Sequence, residues 1–170
     1  MSDPTLYLRN FTQDRTSPIL RFILSGSPVN PSDPNSVLHW RIYCVTDKSR
    51  SIKFDMMPGA DARTGYLSVT SCGYEESRSR TAGFTVAAAV SVKSQDLLTF
   101  LCQPPRCRNR YVYSSDGAGC RFWCCTVLQD LEGAGIVPSN TVKDFDAYIQ
   151  QMNRQNPAAF PLPAAQGRFY

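Results

Sequence analysis

The stretch Val37-Leu38-His39-Trp40-Arg41-Ile42-Tyr43-Cys44-Val45 decides the fold class. Its even positions, Leu38, Trp40, Ile42 and Cys44, are all apolar. Its odd positions mix Val37, His39, Arg41, Tyr43 and Val45. Such alternation throws successive side chains to opposite faces of a strand buried on one side. Ser51 to Met57 repeats the pattern, with Ile52, Phe54 and Met56 on one face and Ser51, Lys53 and Asp55 on the other. Thr46 to Arg50 supplies the hairpin loop between them.

Working outward, Ile19 to Leu24 is a compact apolar run read as a strand, followed by a long loop from Ser25 to Ser36 rich in Pro, Asn and Ser. Residues 1–16 are mainly polar and supply at most a short edge strand. Tyr66 to Ser71 resumes alternation, and Gly83 to Val92 is continuous and small enough to be buried on both faces. Tyr111 to Tyr113 is a brief strand. Helical spacing covers Ser94 to Gln103, with Ser94 as its cap, and Thr141 to Met152. The strongest helix is Cys120 to Glu132, closed by Gly133 and Gly135. Strands gathered ahead of helices predict an α+β fold, an antiparallel sheet of about five strands with two to three helices at one side. Residues 1–155 form one globular domain, and 156–170 a Pro-containing extended tail along its surface.

Composition narrows the function classes. The chain has 170 residues, 42% hydrophobic, enough for a core and against general disorder. Its longest apolar run falls short of the about 20 residues a bilayer requires, so no membrane span is expected. Eighteen Lys and Arg against 14 acids leave a mild +4, too little to mark a dedicated nucleic-acid binder. Arg106, Arg108, Arg110, Tyr111 and Tyr113 form a local cluster. It reads either as a basic loop edge leading into packed tyrosines, or as a site that steers an anion and stacks a ring. The seven cysteines are odd in number, and no basic-then-apolar leader precedes them. Reduced thiols and a cytoplasmic setting follow. The pairs Cys102/Cys107 and Cys120/Cys124 have spacings that zinc tolerates, but the second lies in an apolar helical pattern far from the single histidine. Neither a metal nor a cofactor is expected.

Chemistry concentrates at two points. On a helical wheel Cys120, Cys124, Val127 and Leu131 share one stripe, with Arg121, Cys125, Gln129 and Glu132 on the wetter side. Cys120 thus opens a helix on its inward side, where unpaired N–H groups and the dipole favour a thiolate. Gly119 beside it allows close backbone approach. The only imidazole is His39, and Asp55 on the matching face of the next strand is placed to orient it. Cross-strand register decides between that arrangement and a plain Arg41–Asp55 ion pair. Periodicity raises an objection: a helix covering the Trp40 face would leave His39 pointing away from Cys120. Tyr43, Arg41, Gly119, Tyr113 and Trp123 are the candidate substrate-binding residues, with core packing the competing reading for the aromatics.

His39-Trp-Arg-Ile-Tyr43 on a strand, followed about eighty residues later by Gly119-Cys120-Arg-Phe-Trp123 opening a helix, resembles the circularly permuted papain-like group. That group contains NlpC-type peptidases, the lecithin retinol acyltransferase family and PPPDE peptidases. The sequence also resembles uncharacterised fungal single-domain proteins with His-Trp and Gly-Cys-Arg-x-Trp signatures. The permuted members place a histidine strand first and a helix-start cysteine later, often as Asn-Cys-x-x-Phe; here glycine precedes Cys120 and no second histidine exists. The resemblance implies a small cysteine-dependent hydrolase or acyltransferase acting on an acyl, amide or thioester bond of a small molecule or peptide. Cys120 would be nucleophile, His39 base and Asp55 orienter, or the same dyad would transfer protons. The alternative is a non-catalytic ligand- or protein-binding module of the same fold.

Overall fold

A computed structural model describes residues 3–170; Met1 and Ser2 of the N-terminal segment lie outside the described residues. The strands are β1 (Leu6–Arg9), β2 (Arg21–Pro28), β3 (Leu38–Asp47), β4 (Arg50–Pro58), β5 (Thr64–Cys72) and β6 (Ala82–Ala87), with a 3-10 turn at Phe11–Asp14. Helix α1 (Ser94–Cys102), strand β7 (Tyr111–Val112), helices α2 (Cys120–Gly133) and α3 (Thr141–Gln155) and strand β8 (Arg168–Phe169) complete the chain. The architecture is α+β: one curled sheet in the order β6-β2-β3-β4-β5-β7-β8, with β1 joined to β5.

The sheet has eight strands where the sequence predicts about five. The surplus includes β7 and β8, two residues each, held by pairing between distant segments. Pairs that short leave no period to read. The sheet is antiparallel except for β1, which runs parallel to β5 from Leu6↔Leu67 to Arg9↔Thr70.

Alternation along the two central strands places the apolar faces as expected. Trp40, Ile42, Ile52, Phe54 and Met56 are at most 2% exposed and share one core with Trp123 and Leu128 of α2 and Phe145 of α3. Burying each such side chain contributes about 1.5–3 kcal/mol before conformational entropy is counted. Trp40 meets Phe145 and Phe160 edge to face, with centroids 5.7 and 6.2 Å apart.

Three local expectations are corrected. Strand β2 runs on through Ser25-Gly-Ser-Pro28, because its ladder to β3 continues from Arg21↔Val45 to Pro28↔Leu38. The run from Gly83 is an edge strand bonded only to β2, with Thr85 and Ala87 exposed, instead of a strand buried on both faces. Helix α1 is capped at Lys93, and the Ser94 hydroxyl instead donates to the Ser17 carbonyl at 3.0 Å. The segment after α3 is exposed over most of its length, as expected, but is anchored at two points. Phe160 is buried against Trp40, and β8 adds to the sheet through β7.

Candidate active site

Strand β3 is bonded to β2 along its whole described pairing, Leu38 to Val45, but meets β4 only from Ile42↔Phe54 onward. β4 meanwhile stays paired to β5 as far as Pro58↔Gly65. The two central strands therefore diverge, and the β4-facing edge of Leu38 to Arg41 has no strand partner. Backbone polar groups left there need other partners. The start of α2 enters this gap. The Trp40 N–H donates to the Cys120 sulfur at 3.3 Å, and the Cys120 thiol lies 3.7 Å from the Leu38 carbonyl oxygen. The sulfur thus occupies the position of a missing ladder rung. On the other side of the gap the Tyr113 hydroxyl donates to the carbonyl of Met56.

This placement answers the periodicity objection. α2 does cover the Trp40 face, and His39 does point to the opposite face. Cys120 nevertheless sits at the level of the strand itself, beside His39, because the gap admits it from the edge. His39 Nε2 and Asp55 Oδ1 are 2.6 Å apart, so Nε2 is the ring nitrogen turned to the carboxylate. Asp55 also attracts Arg41 Nε at 3.8 Å and Lys53 Nζ at 3.7 Å, beyond hydrogen-bond length. The register thus yields the histidine–carboxylate bond and a looser Arg41 contact together.

Burial pulls the proton affinity of His39 down. The short bond to the Asp55 carboxylate, with Cys120 close by, outweighs it and raises the imidazole from 6.5 to about 9. His39 is an imidazolium at neutral pH. Four other thiols are held neutral by burial: Cys102 is pushed up to about 12, Cys125 to about 11, and Cys44 and Cys124 are also raised.

The helix start is fixed by Tyr111. Its hydroxyl donates to the Gly119 carbonyl at 2.8 Å and accepts from the Gly167 N–H at 3.0 Å. Gly119 has φ 138°, and a Cβ there would lie 2.7 Å from that hydroxyl. Its freedom therefore serves the approach of Tyr111, not a substrate. Sequence reasoning placed Tyr111 only in a basic cluster; no local pattern reveals that its hydroxyl reaches the helix start.

Of the predicted substrate contacts, only Arg41 lines an open cavity. Tyr43 is 1% exposed, Tyr113 4% and Trp123 0%; Trp123 Nε1 donates to the Arg108 carbonyl at 2.8 Å. These three pack or plug, and none faces solvent. Arg121, expected on the wet side of α2, is buried and donates to the Pro161 carbonyl. The basic cluster is likewise engaged internally. Arg108 forks onto Asp130 at 2.6 and 3.1 Å and lies over Phe169, while Arg106 lies over Phe100.

The cavity, about 560 Å³, opens on the face opposite the helices. His39, Arg41, Lys53 and Asp55 line one part of it, and β1 and β5 the remainder. Cys120 stands outside this lining, whereas His39, Arg41 and Asp55 belong to both the cavity and the gap. Among the described residues, no group of three or more His, Cys, Asp or Glu side chains is arranged to hold a metal, and no helix is long and apolar enough to cross a membrane.

Fold and site together define an α+β protein with a cysteine, a histidine and an aspartate assembled at a gap between diverging strands. The chain belongs to the family described as a domain of unknown function, DUF7770, which matches residues 22–170. No curated protein and no solved structure matches the chain.

Proposed function

We propose that the protein is a small cysteine-dependent enzyme acting on an acyl, amide or thioester bond, arranged in the permuted papain-like manner. One observation carries the reading: Cys120, His39 and Asp55, from a helix start and two strands, converge on one gap. In the reaction Cys120, as the thiolate of an ion pair with the His39 imidazolium, attacks the substrate carbonyl and forms a tetrahedral oxyanion, which the N–H of Cys120 in the first turn of α2 can face. The imidazolium of His39 gives its proton to the leaving group as the C–N, C–O or C–S bond breaks, leaving a thioester on Cys120. Neutral His39 then takes a proton from water or an acceptor as that nucleophile displaces the sulfur. Asp55 holds the ring orientation through its 2.6 Å contact with Nε2. Seven unpaired thiols fit a reducing, cytoplasmic setting, and this chemistry needs the Cys120 sulfur reduced.

The competing reading is a binding module in which Cys120 only completes the strand edge. The sulfur's contacts with Trp40 and Leu38, and its place outside the cavity lining, favour that view. Limited alkylation with iodoacetamide, followed by peptide mapping, separates the two. The enzyme reading expects Cys120 to be modified first, well ahead of Cys102 and Cys125. It also expects p-nitrophenyl acetate to release a stoichiometric burst of nitrophenol that Cys120→Ser abolishes. A native protein whose Cys120 resists alkylation, with no burst, establishes the binding module instead.

A further inference from the structure

Rows of residues across the solvent-facing side of the sheet follow from the register. Met57 pairs with Tyr66. Asp55 pairs with Ser68, and Ser68 with Tyr7, in the row that Arg41 begins. Lys53 pairs with Tyr43 and Thr70, and Thr70 with Arg9. The cavity is built on these rows, with Tyr7, Tyr66 and Tyr74 also in its lining. Its charge is one-sided. Arg9, Arg41 and Lys53 are permanent cations, Asp55 is the one carboxylate, and His39 adds a further proton.

Arg41 and Lys53 share the single carboxylate of Asp55 with His39. Asp55 gives its one short bond to His39, and Arg41 and Lys53 stay at 3.8 and 3.7 Å from it. Arg41 Nε, on a residue lining the cavity, is buried without a hydrogen-bond partner. Arg9 has no ion-pair partner among the described residues. An unsatisfied buried donor beside excess positive charge calls for an anionic acceptor.

We propose that this cavity binds the phosphate group of a phosphorylated small-molecule substrate, held by Arg41, Lys53 and Arg9, with its reacting carbonyl at the His39 end. Three permanent cations against one carboxylate match a dianion better than a single carboxylate. Successive rows are about 7 Å apart along the strands. The row of Lys53 and Arg9 is therefore one step, about 7 Å, from the row of Asp55, the carboxylate that holds His39. This assignment rests on the enzyme reading for the position of the reacting bond, but the anion site itself does not.

The test is calorimetric titration of the full chain with inorganic phosphate and, separately, with acetate, at low ionic strength. Phosphate is expected to bind in a saturable, salt-sensitive manner, and acetate about tenfold or more weakly. Arg9→Gln and Lys53→Gln should each weaken phosphate binding by about tenfold, whereas Arg110→Gln, outside the cavity lining, should leave it unchanged. Arg9 is exposed, so its replacement leaves the core untouched. Equal binding of acetate, an effect of Arg110→Gln as large as that of Arg9→Gln, or no phosphate binding at all would overturn the assignment. Phosphate binding with an inert Cys120 keeps the anion site and removes the enzyme. A reactive Cys120 without phosphate binding does the reverse.

Discussion

Replacing Asp55 with asparagine removes the carboxylate that holds the imidazole and keeps the shape of the side chain. His39 is 23% and Asp55 4% exposed at their side chains, so solvent screens the pair little. A rise of the His39 pKa from 6.5 to about 9 corresponds to about 3 kcal/mol of stability tied to the protonated ring. The folded chain holds this proton more tightly than the unfolded one. The contribution is therefore complete below pH 6.5 and lost as pH rises through about 9. In Asp55→Asn the largest influence on the ring, burial, acts downward with only Cys120 against it. His39 should then titrate at 6.5 or below. Because His39 is the only histidine of the chain, one pair of imidazole resonances in a proton–carbon NMR titration reports it without assignment ambiguity. Urea unfolding supplies the energetic half: the variant should lose about 3 kcal/mol at pH 6 and much less above pH 9. A wild-type histidine titrating at its ordinary value, or a variant that titrates where the wild type does, would refute the reasoning.

Two further outcomes test how the site is built. Gly119→Ala drives a Cβ to 2.7 Å from a hydroxyl pinned on two sides and forces alanine to φ 138°. Thermal unfolding should show a loss of about 2–4 kcal/mol, and Cys120 alkylation should slow as the helix start shifts. Phe160→Ala opens a cavity beside Trp40 and should cost about 3 kcal/mol in urea unfolding. A change near zero would mean the segment after α3 is an appendage.

Legibility followed the range of the forces involved. The faces of β3 and β4 could be read because Leu38 to Cys44 and Ile52 to Met56 alternate without interruption. The Asp55–His39 relation could be narrowed to two alternatives, and the structure realises both, the histidine at 2.6 Å and Arg41 at 3.8 Å. The roles given to Tyr113 and Trp123 were not legible. A buried aromatic and a pocket-lining one have the same local pattern, and only their neighbours differ. Lys53 and Arg9 were missed as site residues because each, taken alone, is an ordinary charged residue on the outer face of a strand.

What the sequence determined by itself is the pair of half-buried strands, the helix opening at Cys120 and ending near Gly133, and the presence of one imidazole for seven thiols. These depend on side-chain period, glycine conformation and composition, all properties of contiguous residues. Only the tertiary structure decided that β3 parts from β4 beyond Ile42↔Phe54, that a sulfur from 80 residues away supplies the missing rung, and that three cations gather over one carboxylate. Strand divergence is set by what packs into the opening, here Cys120 and Tyr113. The partners that satisfy those backbone groups come from chain segments that no local propensity links to the strands they complete.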